Sequence, residues 1–181
     1  MKKAVLWLAC LVALASAVQA QTPGIKFGVG VFGGTNIPIL QKDQKSGSEF
    51  GFRARIGLLP FLVAEPNISF VKWGKPDPVD GIDLGIDGSK VTSFGVDATL
   101  GFSPGAVGFK PFGVIGLASY KVKNDATQLD ESKLGYSAGF GFGIGVLSKI
   151  DIDVRGMAIV IPWDGGSKKA ASLTAGLTYN F

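Results

Sequence analysis

Residues 135–146 read Gly-Tyr-Ser-Ala-Gly-Phe-Gly-Phe-Gly-Ile-Gly-Val. On an extended chain, residues two apart share a face, so Tyr136, Ala138, Phe140, Phe142, Ile144 and Val146 form one column and Ser137 joins five glycines in the other. A helix of 3.6 residues per turn would scatter those apolar side chains all round its axis, whereas a strand collects them on one side. The same separation occurs in Phe50 to Leu58, where Phe50, Phe52, Ala54, Ile56 and Leu58 alternate with Gly51, Arg53, Arg55 and Gly57. In Thr92 to Phe102, Phe94, Val96, Ala98, Leu100 and Phe102 alternate with Ser93, Gly95, Asp97, Thr99 and Gly101. Working outward from these gives eight segments, near 25–36, 49–58, 63–73, 91–102, 110–120, 134–146, 150–161 and 170–181. Alternating runs of about ten residues in an even number predict an all-β fold, an eight-stranded antiparallel up-and-down transmembrane β-barrel. In the fifth segment both columns are apolar or small around Gly113 to Leu117, and its faces are not assigned.

A soluble barrel would alternate too, with its polar column in water and its apolar column around a ligand. Water-facing strand positions usually carry Lys, Glu and Thr, but here the second column is mostly Gly and Ser with occasional charges. Small residues beside a few large charged ones suit the lumen of an eight-stranded barrel, which is just wide enough for side chains. The Phe, Val, Leu, Ile and Ala column then meets lipid. Strand parity sends Arg53, Arg55, Glu65, Asp97, Asp151, Asp153 and Arg155 inward. Charges in so narrow a space are tolerable when paired, so Arg–carboxylate networks that plug the lumen are expected.

The start of the chain has a different grammar. Lys2 and Lys3 precede an apolar stretch from Ala4 to Ala17, and Val18-Gln19-Ala20 ends it on a small residue. This predicts a secretory signal peptide over residues 1–20, cleaved near Ala20, with the barrel domain over 21–181. The stretch is shorter than the roughly 20 apolar residues of a spanning helix, and charges or glycines interrupt every later apolar run. Cys10, the only cysteine, lies within the signal, leaving no thiol for a disulfide or a metal in the barrel domain. Without Lys2 and Lys3 the basic residues fall from 18 to 16 against 14 acids, a balance that points to no nucleic acid partner.

Connections alternate between short, near 59–62, 103–109 and 147–149, and longer, near 37–48, 74–90, 121–133 and 162–169. Short turns are expected in the periplasm and long loops outside. Aromatics near strand ends suggest two interfacial girdles: Trp73, Tyr120, Tyr136 and Trp163 outside, and Phe102, Phe109, Tyr179 and Phe181 at the periplasmic side. At the C-terminus, Leu173, Ala175, Leu177, Tyr179 and Phe181 alternate up to a terminal phenylalanine.

With Lys26-Phe27-Gly28-Val29-Gly30, Glu65-Pro66 in a strand ending Lys72-Trp73-Gly74, Lys110-Pro111-Phe112, Gly135-Tyr136-Ser137-Ala138-Gly139 and Gly176-Leu177-Thr178-Tyr179-Asn180-Phe181, the chain resembles the outer membrane protein β-barrel domain family. These are small OmpA/OmpX-type, porin-family-like barrels. The resemblance implies an outer-membrane location and contact with outer-membrane lipid. It also implies that periplasmic chaperones and the barrel-insertion machinery act during biogenesis, the latter reading Leu177, Tyr179 and Phe181 as an assembly signal. It implies no single activity.

The chain contains no histidine. Histidine-dependent outer-membrane phospholipases, lipid A deacylases, palmitoyltransferases and omptin-type proteases are therefore excluded as models, and no catalytic residue, cofactor or metal site is assigned. Asp77, Asp80, Asp83 and Asp87 could place oxygens around calcium, but their spacing does not fit an EF-hand and they read as a solvated acidic loop. The GxG within Gly28 to Gly34 lies inside a strand rather than at a strand-to-helix turn, so no nucleotide site follows. Two functions remain. One is a structural or surface-interaction barrel with a plugged lumen and an unspecified extracellular ligand; the other is a narrow channel or transporter for ions or small hydrophobic solutes.

Overall fold

The computed structural model describes residues 26–39, 45–75, 88–102, 104–124, 128–163 and 165–181. The expected signal peptide and the four aspartates of the 76–87 segment lie outside them. Eight strands follow one another: β1 (Lys26–Ile39), β2 (Lys45–Leu59), β3 (Leu62–Gly74), β4 (Lys90–Leu100), β5 (Gly108–Asn124), β6 (Leu129–Leu147), β7 (Ile150–Trp163) and β8 (Gly166–Asn180). Each is antiparallel to the next, and β1 pairs β8 from Gly28↔Asn180 to Ile39↔Lys169, closing the barrel. The end where Phe181 N donates to Phe27 O is called the terminal end, and the other the distal end.

The strands outrun the alternating segments, chiefly at the distal end. β5 continues to Asn124 and β6 starts at Leu129, so the expected 121–133 loop is mostly paired backbone. The β7–β8 connection shrinks to residues 164–165, while residues 75–89 join β3 to β4. Pairing outlasts apolar alternation because outward positions there are polar: Lys121, Lys123, Asp130 and Ser132. Hydrophobic periodicity records where a strand faces an apolar medium, not where its hydrogen bonds stop.

The outer wall is apolar over its middle, with Phe94, Leu117, Leu134 and Phe140 each more than 60% exposed. A continuous band of this kind suits hydrocarbon rather than water. Inside, β5 resolves the ambiguous parity: Lys110, Phe112, Val114, Ala118, Tyr120 and Val122 point inward, and Ile115 and Leu117 outward. The lumen therefore holds two apolar clusters. Val63, Phe102, Phe112 and Val114 pack near the terminal end. A larger collar of Val71, Trp73, Val91, Ala118, Tyr120, Val122, Ile161 and Ala170 lies toward the distal end.

These clusters correct the girdle expectation for four residues, one of them Trp163, which shares the column of Ile161 and packs partly buried against the distal collar. Trp73 shares a column with Glu65, so its ring enters the lumen, where Nε1 donates to Asn36 Oδ1 at 2.8 Å. Tyr120 follows the inward column of β5. Phe102 has the parity of the outward Leu100, but β4 ends first and Gly101 adopts φ +90°, turning the ring inward to complete burial. Tyr136, Phe109, Tyr179 and Phe181 do stand on the outer wall.

Gly101 is held by its N–H donating to Phe61 O at 2.8 Å, and a side chain in this left-handed conformation is strained. We expect Gly101→Val to lower the unfolding free energy in lipid vesicles by about 1–3 kcal/mol, read from urea unfolding of the folded band on an unheated gel.

Candidate functional site

The seven charges that parity sends inward all line the lumen, and five meet in one cluster. Arg53 and Arg55 occupy alternate positions of β2, Glu65 lies on β3, and Asp153 and Arg155 alternate on β7. Arg55 Nε donates to Glu65 Oε1 at 2.6 Å, while Arg155 Nη1 donates to Glu65 Oε2 at 2.8 Å. Asp153 takes three guanidinium groups: Arg55 Nη2 at 2.7 Å, Arg155 Nε at 3.2 Å, and Arg53 Nη2. Glu65 and Asp153 thus have both oxygens engaged. That is the condition under which a desolvated carboxylate is held rather than ejected.

The other two acids take different partners. Asp151 lies under Lys110, whose Nζ donates at 2.8 Å, and also accepts from Asn180 Nδ2 at 2.7 Å and Gly105 N at 3.2 Å. Its nearest guanidinium nitrogen, Arg55 Nη1, is 3.7 Å away. Asp97 accepts from Asn67 Nδ2 at 3.0 Å and lies 3.9 Å from Arg155 Nη1. Alternation alone also missed Lys110, on the strand whose faces were unassigned, and Glu49, just outside the quoted β2 columns. Glu49 Oε2 accepts from Ser172 Oγ at 2.6 Å and Asn36 Nδ2 at 3.1 Å, extending a polar chain from Trp73 through Asn36.

Phenyl rings fill the space around the cluster. Arg55 stacks over Phe102 at 4.4 Å, Lys110 lies 4.8 Å from the same ring, and Arg155 is 5.5 Å from Phe112. These cations meet ring faces instead of water, and Phe102 and Phe112 contact each other edge to face. Glycine makes the room: a Cβ on Gly176 would overlap the Arg53 guanidinium, and one on Gly143 would meet the Phe102 ring. The glycine-rich column is the mould of its bulky neighbours.

Between this plug and the distal collar lies a cavity of about 70 Å³, lined among others by Arg53, Asp97, Arg155, Trp73, Tyr120 and Ser172. Arg53 Nε and Arg155 Nη2 have no hydrogen-bond partner among the described residues. The cavity is roomy and polar enough for several waters. Among the described residues no group of three or more Asp, Glu, His or Cys is placed to hold a metal ion.

Because removing one member of a buried pair strands the other, Arg55→Met should destabilise the folded barrel by about 3–5 kcal/mol. Glu65→Gln on that background should add less than it does alone. A double-mutant cycle by urea unfolding in vesicles checks the coupling.

The comparisons agree with this geometry. Neisserial surface protein A aligns at TM-score 0.65 and 17% identity, covering 87% of this chain and 97% of that one. The N-terminal β-barrel domain of Pseudomonas aeruginosa OprF aligns at TM-score 0.55 and 18% identity over 86% and 97%. Ail, the attachment invasion locus protein of Yersinia pestis, aligns at TM-score 0.52 and 13% identity over 87% and 97%. At such identities the likeness is one of fold. No curated protein matches the chain. The model of the outer membrane protein β-barrel domain matches residues 6–181, nearly the whole chain, and the protein belongs to that family.

Proposed function

We propose that this is a non-enzymatic barrel of the outer membrane that acts through its wall and distal end, in a structural or surface-interaction role, with a plugged lumen. The observation that carries the reading is the interlock of Glu65 and Asp153 with Arg53, Arg55 and Arg155, backed by Phe102 and Phe112. A solute crossing the barrel would have to separate buried ion pairs and displace rings packed against them. The absence of histidine argues against the hydrolytic chemistry considered above. The distal end is read as extracellular. Residues 1–20 are read as the export signal. Leu177 and Tyr179, on the outer wall of β8, and Phe181, one residue beyond it, are read as the contact for the insertion machinery.

A narrow path for ions or small hydrophobic solutes is the second reading, favoured by the cavity above the plug. Planar-bilayer recording separates the two. The plugged reading expects no steady conductance steps from the purified barrel. Steps that vanish in Arg53 or Asp153 variants would establish the channel instead. N-terminal sequencing of protein extracted from outer membranes should begin at Gln21, and an intact Met1 would remove the export reading.

A further inference from the structure

Glu49, on β2, is 8% exposed, and both of its hydrogen bonds fall on Oε2, from Ser172 Oγ at 2.6 Å and Asn36 Nδ2 at 3.1 Å. Both donors are neutral. It shares in none of the buried ion pairs among the described residues, which join Arg53, Arg55, Arg155 and Lys110 to other carboxylates. Its Oε1 takes no hydrogen bond among the described residues and is not sealed in, so it opens into the cavity above the plug, which Glu49 lines. A carboxylate at this depth is normally held by a cation, because burial removes the water that would otherwise stabilise its charge.

The rest of the cavity is polarised along the barrel axis. Arg53 lies four residues from Glu49 on β2, about 13 Å at the rise of an extended strand, and its guanidinium is engaged by Asp153 beside the Phe32 ring. Arg155 is held by Glu65 and Asp153. The guanidinium groups of the floor thus face carboxylates of the plug. At the distal side stand the rings of Trp73 and Tyr120 with the aliphatic side chains of Val71, Val91, Ile161 and Ala170. Trp73 is tied to Glu49 through Asn36, which accepts from its Nε1 at 2.8 Å. A second carboxylate, Asp97, lines the same space with its side chain 19% exposed, accepting from the neutral Asn67 at 3.0 Å.

We propose that the distal part of this cavity binds a small organic cation, a primary alkylammonium, with Glu49 as its counter-ion, Trp73 and Tyr120 beside the charge, and the alkyl group against Val71, Val91 and Ala170. An ammonium group brings three donors to an oxygen that has none, and aromatic faces attract a cation that has left water. The aliphatic collar gives water nothing to bond, whereas it covers a short hydrocarbon chain. An inorganic cation fits less well, since a hard metal ion takes six or more oxygen ligands and much of this lining is ring and aliphatic carbon. The volume of about 70 Å³ is room for about five waters, and hence for a molecule of a few non-hydrogen atoms. The inference goes beyond the plugged reading and needs the plug only as a floor.

The test is equilibrium dialysis of isotopically labelled n-propylammonium against the barrel in detergent micelles, refolded with the amine present so that passage through the collar is not limiting. The unaltered barrel should bind it saturably, and Glu49→Gln, which keeps an acceptor for Ser172 and Asn36 but removes the charge, should weaken binding at least about tenfold. Ala170→Leu adds bulk at the collar and leaves every charge in place, and it should weaken binding as well. Thr92→Ala, on the outer wall, should leave it unchanged. Propionate, with a chain of the same length and the opposite charge, should not compete. Absence of saturable binding to the unaltered barrel overturns the proposal and leaves the cavity to water alone. Full affinity in Glu49→Gln or in Ala170→Leu overturns the placement, and equal displacement by sodium at the same concentration or by propionate overturns the ligand class. The shift of the unheated band on a gel reports barrel closure for each variant, and bilayer conductance is not read, so a lumen that conducts is distinguishable from a cavity that does not bind.

Discussion

The carboxylate of Asp153 accepts from Arg53, Arg55 and Arg155, and the rest of the lumen is arranged around that meeting. Two of its partners come from a strand about a hundred residues earlier in the chain, so the contact exists only when β2 and β7 face each other across a closed cylinder. Closure in turn satisfies the backbone, because each strand has a partner on both sides and hydrocarbon offers none. Eight strands enclose too little room for water to solvate charges. Guanidinium groups and carboxylates must therefore find one another, and ring faces and glycines are placed so that they can.

Much of this was legible because a barrel wall has only two faces. The columns of Phe50 to Leu58 and of residues 135–146 assigned in from out without any knowledge of tertiary contacts, and seven lumen charges followed from parity. Pairing was not legible. Asp151 and Asp153 share a column yet serve Lys110 and three arginines respectively, a matter of depth in the barrel that alternation does not encode. Phe102 escaped because one glycine at positive φ reversed its face after the strand had ended. Trp73 was assigned to the membrane interface by its place near a strand end, although its column already sent it inward with Glu65. Parity was the better guide there, since packing inside a small barrel draws on large rings as readily as an interface does.

The lumen has two regimes along its axis. Charges and phenyl rings fill the terminal part, and the distal part narrows to a collar of Val71, Trp73, Val91, Tyr120 and Ile161, with the cavity between. Polar groups in the deep section are fixed by one another. The collar is fixed by shape, tied to the polar chain through Trp73 and Asn36. Such a division leaves the wall free to be apolar over its middle, where the lumen needs nothing from it.

From Leu129 to Gly135, β6 pairs β5 on one side, and no strand pairs with its other side among the described residues, since its ladder with β7 begins at Tyr136. Here the cylinder parts along the β6–β7 seam and leaves β6 as a bare edge of the β3–β4–β5–β6 sheet, the kind of backbone that invites strand addition by another chain. Its side chains resist recruitment: Asp130, Glu131 and Lys133 carry charge, and Lys133 and Lys168 both lie over the Trp163 ring across the gap. Along this seam the barrel meets its surroundings with charge rather than with a covering strand.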